Sequence, residues 1–290
     1  MGATAIRTAK RLLLGKELAH MRISAGLLQA DVGRLIETRQ SRIADLEAGQ
    51  STITPGDLLL LAKGLGVTDQ NHLDALLELR RNSHQRGLWT TGYHRAYRED
   101  IRLLVDLEQH ADLLRGAEVE VMPGLAQCES YVRALFADRP ESTNVEIDDL
   151  VAARLARQAI LDKTDAPQYR VVFSESCLRR ERGTPEIMRE QMDHMIKLSK
   201  RPNVMLQVVP FKARPVGQTS IGTRFTLLRI PSPGIAGPLE IAYTEGVGDL
   251  RYLDDKAALI AHDNAWTRLS AGALNPADTR KFMREAASEL

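Results

Sequence analysis

The sequence predicts a small all-α domain followed by a larger α+β domain. Three observations carry this. Residues 12–79 fall into five short segments of helical apolar spacing, each bounded by capping or terminating residues. The composition then shifts near residues 81–97, where Gly, Thr, His and aromatics replace Leu-rich text. Beyond that, β-branched and aromatic runs stand apart from helical runs, which is the pattern of a mixed or antiparallel sheet with segregated helices.

The first segment, LLLGKELAHMRISA, places Leu14, Leu18 and Met21 on one stripe, with Gly26 as its stop. Residues 1–11 are expected to be a flexible basic arm. Two helices follow, 29–36 and 40–47, stopped at Gly49. In TPGDLLLLAKGLGV, Thr54 caps, Pro55 takes the first helical position, and Gly64 or Gly66 closes the helix. DQNHLDALLELRR supplies the fifth helix, with Leu73, Leu76, Leu77 and Leu79 as its apolar side. The domain thus spans 12–80, and 81–92 is the expected linker. In the second domain (93–290), helices are expected at 94–115, 128–137, 146–163, 185–200, 255–272 and 276–288. Strands are expected at 169–174, 203–211, 223–230 and 239–245, with weaker signals in AEVEVMP and LRYLD. The Pro/Gly density of RIPSPGIAGPLE marks a hairpin or longer loop joining two strands.

Bulk properties narrow the function. A formal net charge of +1 across 290 residues gives no general attraction to nucleic acid, so any basic patch is local. Residues 1–50 hold eight Lys/Arg against five Asp/Glu, and a second mild run lies at Arg80, Arg81, Arg86, Arg95 and Arg98. The two cysteines, Cys128 and Cys177, have no metal-type spacing, which points to a reducing cytoplasm and no structural zinc. No apolar run approaches the roughly 20 residues that span a bilayer. The first ten residues lead into no secretory segment, and Ile6 stands where a myristoylation signal needs Ser or Thr.

The segment GLLQADVGRLIETRQSRIADLEAG carries the functional argument. Its two helices, joined by a tight turn inside an all-α domain, have the helix-turn-helix pattern. Ile43 and Leu46 anchor the second helix, with Val32 and Leu35 behind them. Gln40, Ser41, Arg42 and Asp45 are left to point outward. Such side chains suit base edges in a major groove about 12 Å wide: Gln reads adenine, Arg reads guanine, and Ser accepts either. Gln29 opens the preceding helix, where N–H groups and an amide can hold a phosphate.

These residues resemble the Xre-type helix-turn-helix of phage-repressor-like regulators, with Gln29, Val32, Gln40, Ser41, Ile43, Leu46, Glu47 and Gly49 at matching positions. The resemblance implies a homodimeric, double-stranded-DNA-binding domain with Gln29 on a phosphate and Gln40, Ser41 and Arg42 near the bases; Thr38, Arg39 and Asp45 complete the expected DNA contacts. Two departures stand out. Leu28 replaces a capping Ser or Thr and forgoes about 1 kcal/mol of capping. Glu37-Thr38-Arg39 replaces a turn of Gly, an apolar residue and Ser, which would pass the capping role to Thr38 and set an acid near the DNA backbone. Further along, MPGLAQCESYVRALF, ARLARQAIL, SESCLRR, PNVMLQVVPF and IAYTEGVGDLRYLDD resemble, in order, the uncharacterised C-terminal domain of WhiJ-like, antitoxin-like bacterial regulators. That resemblance implies a small acidic protein encoded nearby as a partner.

Arg154, Arg157, Arg179 and Arg180 are the candidate partner contacts. Arg154 and Arg157, with Gln158, equally suit a solvated face or an ion pair with Glu175, and Glu175 equally suits a structural bridge to Arg179 or Arg180. Pro123-Gly124 is either a docking turn or punctuation. Trp89, Tyr93 and Tyr97 are expected to pack as core or to serve as a hinge. For catalysis, only His262-Asp263 with Glu175 and His194 could be assembled, and no hydrolase, zincin or phosphate-loop motif is present. The expectation is a cytoplasmic transcriptional regulator that is not an enzyme and needs no cofactor or metal, modulated by a small acidic protein or a ligand. The rivals are an antitoxin-like module that masks a partner protein, and an enzyme fused to a DNA-binding domain.

Overall fold

The computed structural model describes residues 7–83, 93, 95–137, 145–213, 222–246 and 248–290. It divides into two compact units. The helical unit holds the described residues up to 83 together with Ile230–Leu239, and the second unit holds the rest.

The helical unit consists of α1 (Ala9–Ser24), α2 (Gln29–Leu35), α3 (Gln40–Glu47), α4 (Pro55–Gly64) and α5 (Gln70–Asn82). Three of them are capped by side chains: Thr8 accepts from Arg11 N–H, Thr54 from Asp57 N–H and Asp69 from Asn71 N–H. Glycines in the left-handed region, Gly26 and Gly49, stop α1 and α3 as expected. The first helix starts at Ala9, because Thr8 supplies a cap that the basic-arm reading of 1–11 overlooked. Likewise α5 continues to Asn82, past the expected linker start, while the rest of that linker, with Trp89, lies outside the described residues. Leu18, Met21, Val32, Ile43, Leu46, Leu58, Leu61 and Leu76 are buried and form this unit's core.

The second unit is α+β. Its elements are α6 (Glu99–His110), β1 (Leu113–Glu118), α7 (Glu129–Ala137), α8 (Ile147–Gln158), β2 (Gln168–Ser174), α9 (Ser176–Arg179), α10 (Pro185–Leu198), β3 (Val204–Val209), β4 (Phe225–Ile230), β5 (Leu239–Gly246), β6 (Asp249–Leu253), α11 (Lys256–Gly272) and α12 (Pro276–Ser288). The six strands form one mixed sheet in the order β3-β2-β1-β4-β5-β6. β1, β2 and β3 run parallel, while β4 lies antiparallel to β1 and β6 to β5. One sheet face packs Ala117, Val172, Phe225, Leu227 and Ala242 against Trp266 and Leu269 of α11.

The expected helix at 94–115 is shorter, and its last residues belong to β1 at the centre of the sheet. LLRGAE has little β-branched character. It is extended because β2 and β4 pair with it on both sides, not because of its own propensity. The expected helix at 146–163 ends at Gln158 and continues only as a single 3-10 turn, Ala159–Asp162.

Candidate nucleic-acid interface

α3 is eight residues long, so it spans about 12 Å, and it is seated from behind by buried Ile43 and Leu46. Its seat is tight. A Cβ on Gly15 of α1 would lie 2.3 Å from the Glu47 carbonyl oxygen, so the backbones of α1 and α3 approach at a distance only glycine permits. A polar bolt fixes the same junction. Glu47 accepts from Arg22 Nε at 2.6 Å, from Arg22 Nη2 at 2.9 Å and from Gln29 Nε2 at 2.9 Å. The carboxylate raises the Arg22 pKa further above its ordinary value, chiefly through the hydrogen bond.

The outward face of α3 carries Gln40, Ser41 and Asp45, all exposed, with Arg39 exposed at the N-cap. These are four of the expected contacts, and the helix brings them to one surface. Arg42 is half-buried and donates through Nη2 to the Thr52 carbonyl at 3.2 Å, a bond that uses one of the five N–H groups of its guanidinium. Gln29 is also tied, but an amide nitrogen has two N–H groups and Glu47 takes one. The second N–H is not used in that bond.

Thr38 does not take the capping role. The N-cap of α3 is Arg39, with no side-chain bond to the helix, and Thr38 closes the turn by its backbone, donating to Gly33 O at 2.8 Å. The capping lost at Leu28 is partly recovered, because Asp31 Oδ2 accepts the Leu28 N–H at 2.8 Å. Glu37 has φ 51°, the only positive value at a non-glycine among the described residues, at a turn position where glycine would be at ease.

In the second unit the four candidate arginines are mostly spent internally. Arg157 forms two bonds to Glu108, at 2.6 and 2.7 Å, in a nearly buried pair. Its partner is thus Glu108, not Glu175. Arg179 bonds Glu175 at 3.0 Å and also Glu289, and Arg180 bonds Glu120. Arg154 donates to Gln127 at 3.1 Å and lies over the Phe136 ring, with burial and neighbouring Arg157 pushing its pKa down to about 10. Glu118, buried near Arg224, is pushed up to about 7 by desolvation.

Pro123-Gly124 opens a short 3-10 turn that is held from within. Gln158 donates to Gly124 O and Gln127 O, and Gln191 donates to Ala126 O. Tyr97 is buried and donates to Ala153 O; Tyr93 is half-buried. The imagined hydrolytic set is dispersed: Asp263 pairs with Arg115, His262 bonds Ala258 O, and Glu175 serves Arg179 and the Phe211 N–H. Burial lowers the His194 pKa. Among the described residues no group of three or more His, Cys, Asp or Glu side chains could hold a metal, and no helix is long and apolar enough to cross a membrane.

One cleft of about 310 Å³ in the second unit was not foreseen. It lies beside β1, β4, β5 and α11, where Arg115, Arg229, Glu240 and Asp263 meet the apolar side chains of Leu113 and Ile260. Arg115 is engaged with Asp263 at 2.5 Å and lies over Trp266. Charges from four separate elements form its rim, and no local spacing in the sequence could have revealed it.

A family described as a helix-turn-helix domain matches residues 13–76, and a family described as a domain of unknown function (DUF5753) matches residues 101–285. No curated protein and no solved structure matches the chain.

Proposed function

The chain belongs to the DUF5753 family, and we propose that it is a sequence-specific transcriptional regulator that occupies promoter operators through the helix-turn-helix domain preceding that region. The observation that carries the reading is α3 itself. It is groove-sized, locked from behind by Ile43, Leu46 and Glu47, and presents Arg39, Gln40, Ser41 and Asp45 outward. The Xre-type assignment rests on the same positions. Binding as a homodimer follows from the geometry of such domains, in which two recognition helices meet half-sites one helical turn apart. The protein acts in the cytoplasm, on the nucleoid when bound.

The DUF5753 region adjusts this activity. As a domain of the WhiJ-like kind, it would take its signal from a small acidic protein or from a small ligand. The second is supported by the cleft at Arg115 and Arg229, whose volume and mixture of apolar and charged walls suit a small amphipathic molecule. Arg157 is committed to buried Glu108, and Arg179 and Arg180 pair with carboxylates of this same chain at the surface, so no observation favours a module whose main task is masking a partner protein.

A gel-shift series on the operator mapped in the genome tests the reading. Gln40→Ala and Arg42→Ala are expected to cost about 1–3 kcal/mol on that site and to relax specificity. Gln29→Ala is expected to weaken cognate and random DNA alike, as loss of a phosphate contact does. Equal weakening on every sequence by Gln40→Ala would refute a base-reading α3.

A further inference from the structure

The loop that leaves β4 at Ile230 and returns as β5 at Leu239 is part of the helical unit, and it closes around one carboxylate. Glu17 of α1 is fully buried. Its Oε1 accepts the Ser232 hydroxyl at 2.9 Å and the Ala236 N–H at 3.0 Å. Its Oε2 accepts the Ile235 N–H at 3.1 Å and lies 3.1 Å from His72 Nε2 of α5. Ser232 Oγ also receives the Gly234 N–H at 3.1 Å, which shapes the turn, and neighbouring Lys16 donates to Pro238 O.

This turn is built for that carboxylate. A Cβ on Gly234 would lie 2.3 Å from Glu17 Cδ, so a larger residue there must displace the carboxylate from its hydrogen bonds. Successive N–H groups converging on one anion form a nest, and charge-assisted bonds of this kind are about twice as strong as neutral ones. Unseating the loop would strip a buried charge of three of its four partners. The same helix also seats α3. Gly15 lies two residues before Glu17, and Arg22, five residues after it, holds Glu47.

We propose that Glu17 and the Ser232–Ala236 turn form a clasp within the helical unit that holds α1, and with it α3, in the DNA-competent position. Glu17 is then a positioning residue for recognition. This rests on the DNA-binding reading above.

The test uses the full chain in two variants. Glu17→Gln keeps the shape and removes the charge, while Gly234→Ala crowds the Glu17 carboxylate from the loop side without changing any helix residue. Amide hydrogen exchange at Ile235 and Ala236 is expected to quicken at least tenfold in both, and operator affinity to fall at least fivefold with far-UV circular dichroism unchanged. Should Glu17→Gln fail to fold, Gly234→Ala decides alone. Unchanged exchange at the two amides overturns the clasp. Faster exchange with affinity unchanged or raised overturns the positioning role. A wild-type protein that binds no operator removes the DNA reading and, with it, the positioning role, while the exchange rates still decide whether the clasp exists.

Discussion

Glu47→Ala is the sharpest perturbation of the helical unit. The wild-type carboxylate takes three hydrogen bonds, and the pair is mostly shielded, with Glu47 and Arg22 side chains 10% and 16% exposed. Truncation leaves the Arg22 guanidinium with the Leu27 carbonyl, at 3.2 Å, as its remaining protein acceptor. Breaking a fully buried pair from one side costs about 3–5 kcal/mol, and residual solvent access lowers that here to roughly 2–4 kcal/mol. Since 1.4 kcal/mol is a factor of ten, the open population of α1 and α3 should rise by roughly 30- to 700-fold. Amide hydrogen exchange suits the measurement, because it reads local opening even where two units unfold separately. Protection should drop in α1 and α3 and persist in β1, β2 and β3. The double variant Arg22→Met with Glu47→Leu, which leaves no orphaned charge, should recover most of the loss. A drop below about 1 kcal/mol, or an equal drop in the strands, would refute the idea that this bolt holds the recognition helix.

Two further outcomes follow from strained or buried acids. Glu37 holds φ 51°, which costs an L-residue about 1–2 kcal/mol, while glycine's extra freedom in the unfolded chain costs about 0.5–1 kcal/mol. Glu37→Gly should therefore stabilise the unit by about 0.5–1 kcal/mol and tighten binding to all DNA sequences by removing an acid from the turn, and a lower urea midpoint would contradict this. Glu118 is pushed up from 4.5 to about 7 by burial, so the native state favours its protonated form. The stability this contributes is complete below pH 4.5 and is lost as pH rises through about 7, at up to about 1.4 kcal/mol per pH unit. Glu118→Gln should flatten that slope in thermal melts, and an unchanged slope would assign the titration elsewhere.

The sequence revealed what short-range physics controls. Thr54-Pro55, Gly26, Gly49 and the spacing of Val32, Ile43 and Leu46 act within one or two helical turns, and the structure places each in its expected role. The same holds for the exposure of Gln40, Ser41 and Asp45, since residues opposite a buried stripe must face outward. What it hid depends on distant chain. β1 has the text of a helix end and becomes a strand only because β2 and β4 flank it. The partner of Arg157 is 49 residues away, and the cleft draws its rim from four elements. Glu17 reads as an ordinary surface acid until a turn more than 200 residues downstream covers it.

That last contrast bears on how such a protein could be controlled. On α1, Glu17 and Arg22 are separated by less than one and a half helical turns. Arg22 reaches within the motif, to Glu47 at the end of α3, and its geometry was set by the motif alone. Glu17 instead depends on a distant turn, Ser232–Ala236, that the motif does not contain. A rigid helix cannot absorb a displacement at one of these points without passing it to the other, because Gly15 leaves no gap between α1 and α3. On the proposed clasp, retaining or releasing that one buried carboxylate would change how firmly α1, and with it α3, is held.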